Sequence, residues 1–365
     1  MLNNELNAIA SNFNIWEHIE PYGDGHINET FEALPCAKRF ILQKINSDVF
    51  EKPEEVMENI SVVTEHLRKK IIKEGGDPLK ETLTIVKTLD GKSFYKTDDG
   101  RYYRMYIFIE GARTYNVVEK PEHFYNAAKA FGRFQKLLAD FPACKLHETI
   151  KDFHNTPKRF ADFEKAIANN ISGRADNVKK EIEFALKRKN IASAITDAIK
   201  DGSIPLRVTH NDTKYNNIMI DDRTGNAVAV IDLDTVMPGS LLYDYGDSLR
   251  FGTNPVSEDE KNLDLVYCDL NLFECFTRGF IEEMADTLTP DEIRLMPLSA
   301  RLMTLECGIR FLGDYINGDV YFKTAYPEHN LDRARTQFKL VYDMEQKQSE
   351  MDKIVSDIIG KLSKK

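Results

Sequence analysis

The stretch with the most chemistry is His210-Asn211-Asp212-Thr213-Lys214-Tyr215-Asn216-Asn217, followed 15 residues later by Asp232-Leu233-Asp234. The spacing His-x-Asp-x-x-x-x-Asn suits phosphoryl transfer. There, an aspartate accepts the proton of an attacking hydroxyl, and an asparagine one short turn later offers a carbonyl oxygen to a metal. A second carboxylate, at the end of a strand, chelates the Mg²⁺ that bridges the phosphates. The competing reading is a polar surface turn with an Asn-rich cap. It leaves Asp232 and Asp234 unexplained, because carboxylates directly after the apolar run Ala227-Val228-Ala229-Val230-Ile231 are costly without a cation.

These groups need a hairpin and a scaffold. The turn-forming run Asp221-Asp222-Arg223-Thr224-Gly225-Asn226 separates two apolar segments inside a strand-like island, 208–234. Before it, the first hundred residues read as strand-rich. A Gly turn at 22–31, a second short run at 39–45, and two more at 82–88 and 102–109 surround one helical stripe, Val56, Ile60, Val63, Leu67 and Ile71, with Pro53 in its first turn. After Gly111 the pattern becomes helical, with amphipathic stretches at 124–141, 158–189, 262–287 and 299–316 and a last helix from Asp332. The expected organisation is two-lobed: 1–110 an antiparallel sheet with one helix, 111–365 mostly helical and carrying the catalytic loop and acceptor site. A ligand is expected in the crease between the lobes.

Composition sets limits. The 365 residues are 42% hydrophobic and 30% charged, a globular mix, and the formal charge of −10 argues against general nucleic-acid or membrane-surface binding. The five cysteines are odd in number and scattered, as expected for reduced thiols in a cytosolic protein. The first residues lack the basic-then-apolar pattern of a signal peptide, and no run is long enough to span a membrane. A soluble cytoplasmic protein is expected, and its oligomeric state is not legible.

The segments 210–217, Val-Ile-Asp-Leu-Asp-Thr-Val-Met-Pro-Gly (230–239) and Tyr-Asp-Tyr-Gly-Asp-Ser-Leu-Arg (243–250) resemble the aminoglycoside phosphotransferase and choline kinase superfamily, relatives of protein kinases. Together with 25–31 and 307–312 they are most similar to its N-acetylhexosamine 1-kinase branch. The resemblance implies an α+β, protein-kinase-like fold using ATP and Mg²⁺. It implies Asp212 as catalytic base, His210 orienting the loop, Asn217 and Asp232 as metal ligands supported by Asp234, and Lys44 as a contact to the ATP phosphates.

Two features depart from the family pattern. Glu54, Glu55, Glu58 and Glu65 all fall off the apolar stripe of the helix after Lys44, so its acidic partner cannot be assigned. Lys44 taken alone reads equally well as a strand-edge residue, but the Gly turn before it and the helix after it favour phosphate contact. The loop Gly23-Asp24-Gly25 has two glycines rather than three, and a Gly-x-Gly turn is by itself usually a hairpin. Gly23 and Gly25 are the candidate phosphate cradle, with His26 and Asn28 beside them able to reach a sugar or phosphate.

On the acceptor side, Asp244, Asp247, Phe251, Arg310 and Tyr321 offer the polar groups and aromatic face that a sugar needs. One of Asp244 and Asp247 is expected to brace the catalytic loop. Arg310 is either a cleft residue or the i,i+4 partner of Glu306 on a solvated face. The resulting expectation is an ATP-dependent kinase acting on the anomeric hydroxyl of N-acetylglucosamine or N-acetylgalactosamine. Alternatives are another small-alcohol kinase (aminoglycoside, choline or fructosamine type) or a non-catalytic kinase-like sugar- or nucleotide-binding module.

Overall fold

The strand-rich start folds into an antiparallel sheet. In the computed structural model, which describes residues 2–16, 18–23, 27–34, 38–115, 118 and 120–363, helix α1 (Leu2–Ser11) leads into β1 (Ile19–Pro21), β2 (Glu29–Ala33) and β3 (Phe40–Ile45). Then follow α2 (Pro53–Lys73), the short α3 (Pro78–Glu81), β4 (Ile85–Val86), β5 (Tyr95–Lys96) and β6 (Tyr102–Ile107). The sheet order is β1-β2-β3-β6-β4, with β5 also on β6. Every residue of the expected α2 stripe is buried, and Pro53 starts the helix. The segment 82–88 is mostly not strand, because Leu83 and Thr82 are buried in irregular chain and only Ile85 and Val86 pair with β6.

By its internal contacts the chain forms two units, Met1–Thr114 with Leu137–Lys151 and Asn217–Pro238, and Tyr115–Lys136 with Asp152–Asn216 and Gly239–Lys365. The sequence reading places the β island in 111–365, whereas the hairpin before Asp232 belongs to the sheet unit. That hairpin is β9 (Ile218–Asp221) and β10 (Ala227–Val230), extended by β7 (Ala112–Arg113). Asp221 closes its turn by accepting the N–H groups of Arg223 (3.1 Å) and Thr224 (2.8 Å).

The second unit contains α4 (Pro121–Leu137), which ends at the unit boundary, then α5 (Thr156–Asn169), α6 (Lys179–Leu186), α7 (Ala194–Lys200) and the short β8 (Arg207–Thr209). After β11 (Met237–Gly239) come α8 (Leu241–Gly252), α9 (Leu270–Met284), α10 (Pro290–Asn317), α11 (His329–Gln346) and α12 (Gln348–Leu362). Residues 158–189 are not one helix. Asn170 takes the left-handed conformation (φ 39°) that ends α5, and its side chain accepts the N–H of Ala175. Conversely, α10 begins well before Ser299. A capping box between Thr289 and Glu292 starts it, and it runs through Pro297 with both sides buried against α5, α8 and α11. Among the described residues no helix is long and apolar enough to cross a membrane, and the described cysteines are free thiols.

Candidate active site

In the first unit the hairpin brings Asn217 and Asp232 side by side, for β9 pairs with β10 and the Ile231 N–H donates to the Asn217 carbonyl (2.9 Å). Asp232 is left-handed (φ 57°, ψ 59°). A non-glycine residue there costs about 1–2 kcal/mol, a strain typical of positions whose side chain must point in one direction. Asn59 of α2 stitches the chain beyond it, donating to the carbonyls of Val236 (3.0 Å) and His147 (2.8 Å).

Asp234 is buried, and both of its oxygens are engaged. Arg104 of β6 pairs with Oδ1, and Asn28 donates to Oδ2 (2.6 Å). The Arg104 Nε also donates to Gln43 (3.0 Å). Burial opposes a charged guanidinium, but Asp234, the Tyr106 ring and Asp232 around it keep Arg104 protonated. Asp234, expected to support the metal, is thus the anchor of the loop.

Lys44 lies on the other face of the sheet. Cross-strand pairs Leu42–Met105, Gln43–Arg104 and Lys44–Tyr103 alternate in direction. Leu42, Tyr103 and Met105 pack on α1, so Lys44 shares that side, where its Nζ is 2.5 Å from Glu29. This register sets Lys44, the expected phosphate contact, on the face opposite Arg104. The cation on the Asp234 face is Arg104. Gly23 sits at the β1–β2 turn with φ 70°, whereas Gly25 and His26 lie outside the described residues.

Asn217 and Asp232 supply an amide oxygen and a carboxylate, the hard oxygen donors that Mg²⁺ prefers, and two protein ligands leave room for phosphate oxygens and water. The donor set fits that ion.

In the second unit the loop 210–216 is gripped from α8. Asp244 accepts the backbone N–H groups of His210 (2.9 Å) and Asn211 (2.7 Å) and the Gln135 amide (2.5 Å). Asp247 accepts the Thr213 N–H (3.1 Å) and pairs with Arg250 (3.0 Å). Both carboxylates therefore brace the loop, where one was expected to, and both were also candidates for acceptor binding. His210 is fully buried, edge-on to Phe131 and Phe134, and its Nδ1 accepts the Asp212 N–H (3.3 Å). The Asp212 carboxyl is 23% exposed and lies 3.0 Å from Lys214 Nζ. Burial works to raise its pKa, but Lys214, with lesser help from His210 and Arg250, holds it below the usual range. The result is an ionised carboxylate, as a proton acceptor requires.

Glu306 is not on a solvated face. It is buried, receiving Thr156 Oγ1 (2.6 Å) and facing His154 Nδ1 (2.8 Å). Arg310 is instead surrounded by the rings of Phe322 (5.5 Å), Phe153 (5.6 Å) and Tyr321 (5.9 Å), and among the described residues it has no ion-pair partner within 4 Å. Asp314 holds the Tyr321 segment by accepting the N–H groups of Val320, Tyr321 and Phe322. Phe251 is half-buried near the end of α8.

The phosphotransferase enzyme family matches residues 18–271, well over half of the chain, through the sheet, the catalytic loop and the metal loop. The chain belongs to this family. Similar solved structures include choline kinase from Cryptosporidium parvum Iowa II (TM-score 0.61, 13% identity, covering 96% of this chain and 97% of that one). Spectinomycin phosphotransferase in complex with ADP and spectinomycin follows (TM-score 0.59, 12% identity, 94% and 98% covered). A microcompartment-associated aminopropanol kinase matches similarly (TM-score 0.58, 13% identity, 96% and 98% covered). At such identities the likeness is one of fold: α+β, with a small antiparallel sheet part and a larger helical part. As a family member the chain is a phosphotransferase.

Within each unit, some of the groups described above escaped the sequence. Lys214 was legible, being two positions after Asp212 inside the motif. Arg104, His154 and Glu306 carry no local signal, since their partners lie 57–152 positions away; Asn28 was legible beside the Gly turn, but not its bond to Asp234.

Proposed function

We propose that this phosphotransferase moves the γ-phosphoryl group of ATP to the anomeric hydroxyl of an N-acetylhexosamine, N-acetylglucosamine or N-acetylgalactosamine, releasing ADP and the sugar 1-phosphate. Asp212, kept ionised by Lys214, accepts the hydroxyl proton as the oxygen attacks phosphorus in line. Asn217 and Asp232 would hold Mg²⁺, which when bound would neutralise charge on the phosphate oxygens. The remaining parts position: Asp244 and Asp247 hold the catalytic loop, and Arg104 with Asn28 holds Asp234.

The observation that carries the acceptor assignment is Arg310 among three aromatic rings. The cluster adjoins the catalytic loop, since Phe153 precedes His154, whose Nε2 lies 3.1 Å from the Asn211 carbonyl. An aromatic site occupied by a guanidinium repels choline or a polyamine but suits a neutral ring with an acetamido oxygen to accept from it. Arg159, whose guanidinium is disfavoured first by burial and then by Arg310, adds to that repulsion. The test is a screen of N-acetylhexosamines, aminoglycosides, choline and ketosamines for ATP consumption, with phosphorus NMR of the product. An anomeric phosphate is expected; turnover of choline but neither sugar would end this reading.

A further inference from the structure

His154 sits between two groups that can only accept hydrogen bonds. Nε2 faces the carbonyl oxygen of Asn211 at 3.1 Å, and Nδ1 faces Glu306 Oε1 at 2.8 Å. A carbonyl oxygen has no proton to give. Burial acts to raise the Glu306 carboxyl, but His154, Thr156 and Arg310 outweigh it and hold it below the usual range, so Glu306 is an acceptor too. Both ring nitrogens must donate, which only the imidazolium can do.

The peptide thus gripped lies directly before the proposed base. Its C=O is held by His154 and its N–H, that of Asp212, by His210 Nδ1 (3.3 Å). The N–H of Asn211 is fixed by Asp244, and Asn211 is left-handed, φ 65°. Clamping this peptide from both sides selects the left-handed conformation over the others open to an asparagine. A flip would turn the Asp212 side chain away from its present direction.

We propose that His154 is a positioning residue for phosphoryl transfer: as an imidazolium held by Glu306, it fixes the Asn211–Asp212 peptide and thereby aims the Asp212 carboxylate. The assignment rests on Asp212 being the base. It predicts a switch in pH. When the ring loses one proton, the other stays on Nδ1 beside the anionic Glu306, leaving Nε2 as a bare lone pair against the Asn211 carbonyl, and the clamp opens. The charged and titratable groups facing the pair are Glu306 and Arg310 of α10, Arg159 of α5 and the Tyr243 phenol of α8, whose ring centroid is 5.1 Å from the imidazole. With Glu306→Gln the neutral ring can put its proton on Nε2 and accept from the new amide at Nδ1, so the clamp survives deprotonation.

Three measurements decide it. In ¹⁵N-histidine NMR of the wild type, one of the eight histidines, identified by its loss in His154→Phe, should show both ring nitrogens protonated at neutral pH. His154→Phe should lower kcat about 10–100-fold at every pH while both KM values change less than threefold, as expected when a reacting group is misplaced by about 1 Å. Glu306→Gln should lack the alkaline fall in kcat that the wild type shows. A neutral His154 ring at pH 7, or a folded His154→Phe with kcat within twofold of wild type, overturns the proposal. If His154→Phe does not fold, the Glu306→Gln profile decides by itself. Inactive Asp212→Asn beside fully active His154→Phe would sink this proposal alone; active Asp212→Asn would instead sink the assignment of the base.

Discussion

Arg104 and Asp234 form a buried ion pair across 130 positions of sequence, with side-chain exposures of 1% and 4%. Asp234 is two residues past the proposed metal ligand Asp232, and its second oxygen accepts from Asn28 at the start of β2. One carboxylate therefore ties the metal loop both to the middle of the sheet and to the base of the Gly hairpin. Lys44, the cation that the motif pattern favoured, points to the opposite face.

Breaking this pair should be costly, because it leaves a charge uncompensated in the interior. Arg104→Met is expected to lower unfolding stability by about 3–5 kcal/mol in urea denaturation, and Arg104→Met with Asp234→Leu to recover much of it. A loss under about 1 kcal/mol in the single variant would show that the pair is not buried as described.

Lys44→Met, by contrast, should change the KM for ATP less than threefold and stability by under about 1 kcal/mol, the range of a surface pair with Glu29. A tenfold rise in that KM, with stability unchanged, would return Lys44 to the nucleotide site.

Asp212→Asn should abolish turnover and spare nucleotide binding, since an amide keeps the shape but takes no proton near pH 7. More than a tenth of wild-type kcat would remove Asp212 as the base. Lys214→Met tests the same group by pH. Burial favours the neutral carboxyl and Lys214 the ionised one, so losing the ammonium must raise the Asp212 pKa. The acid limb of kcat/KM should move to higher pH, and an unmoved limb would mean that it reports another group.

Asp232→Ala should remove the Mg²⁺ dependence of ATP binding measured by calorimetry, because the carboxylate ligand is lost. Unchanged Mg²⁺-ATP affinity would move the metal site elsewhere.

Arg310→Ala should cost roughly 1.5–3 kcal/mol in kcat/KM for the sugar and leave the KM for ATP unaltered, the range for a charge-assisted hydrogen bond. Unchanged sugar kinetics would exclude Arg310 from the acceptor site.

Much of this protein is legible in its sequence because the signals are local. The His-x-Asp-x-x-x-x-Asn spacing, the Asp221–Asn226 turn and the α2 stripe each lie within a few turns of chain, where backbone geometry sets which side chains meet. Composition and period also separated the sheet-rich start from the helical remainder. Tertiary structure decided the rest. The face that Lys44 takes was not legible because strand pairing, not strand existence, determines which of two successive residues faces Asp234, and one residue of register reverses the face. Glu306 could be read as a surface partner of Arg310 because the two are spaced i,i+4, yet packing by α5, α8 and α11 buries both sides of that helix. Its partners, His154 and Thr156, stand 152 and 150 positions away, and a hydrogen bond across such a distance leaves no periodic trace in the chain.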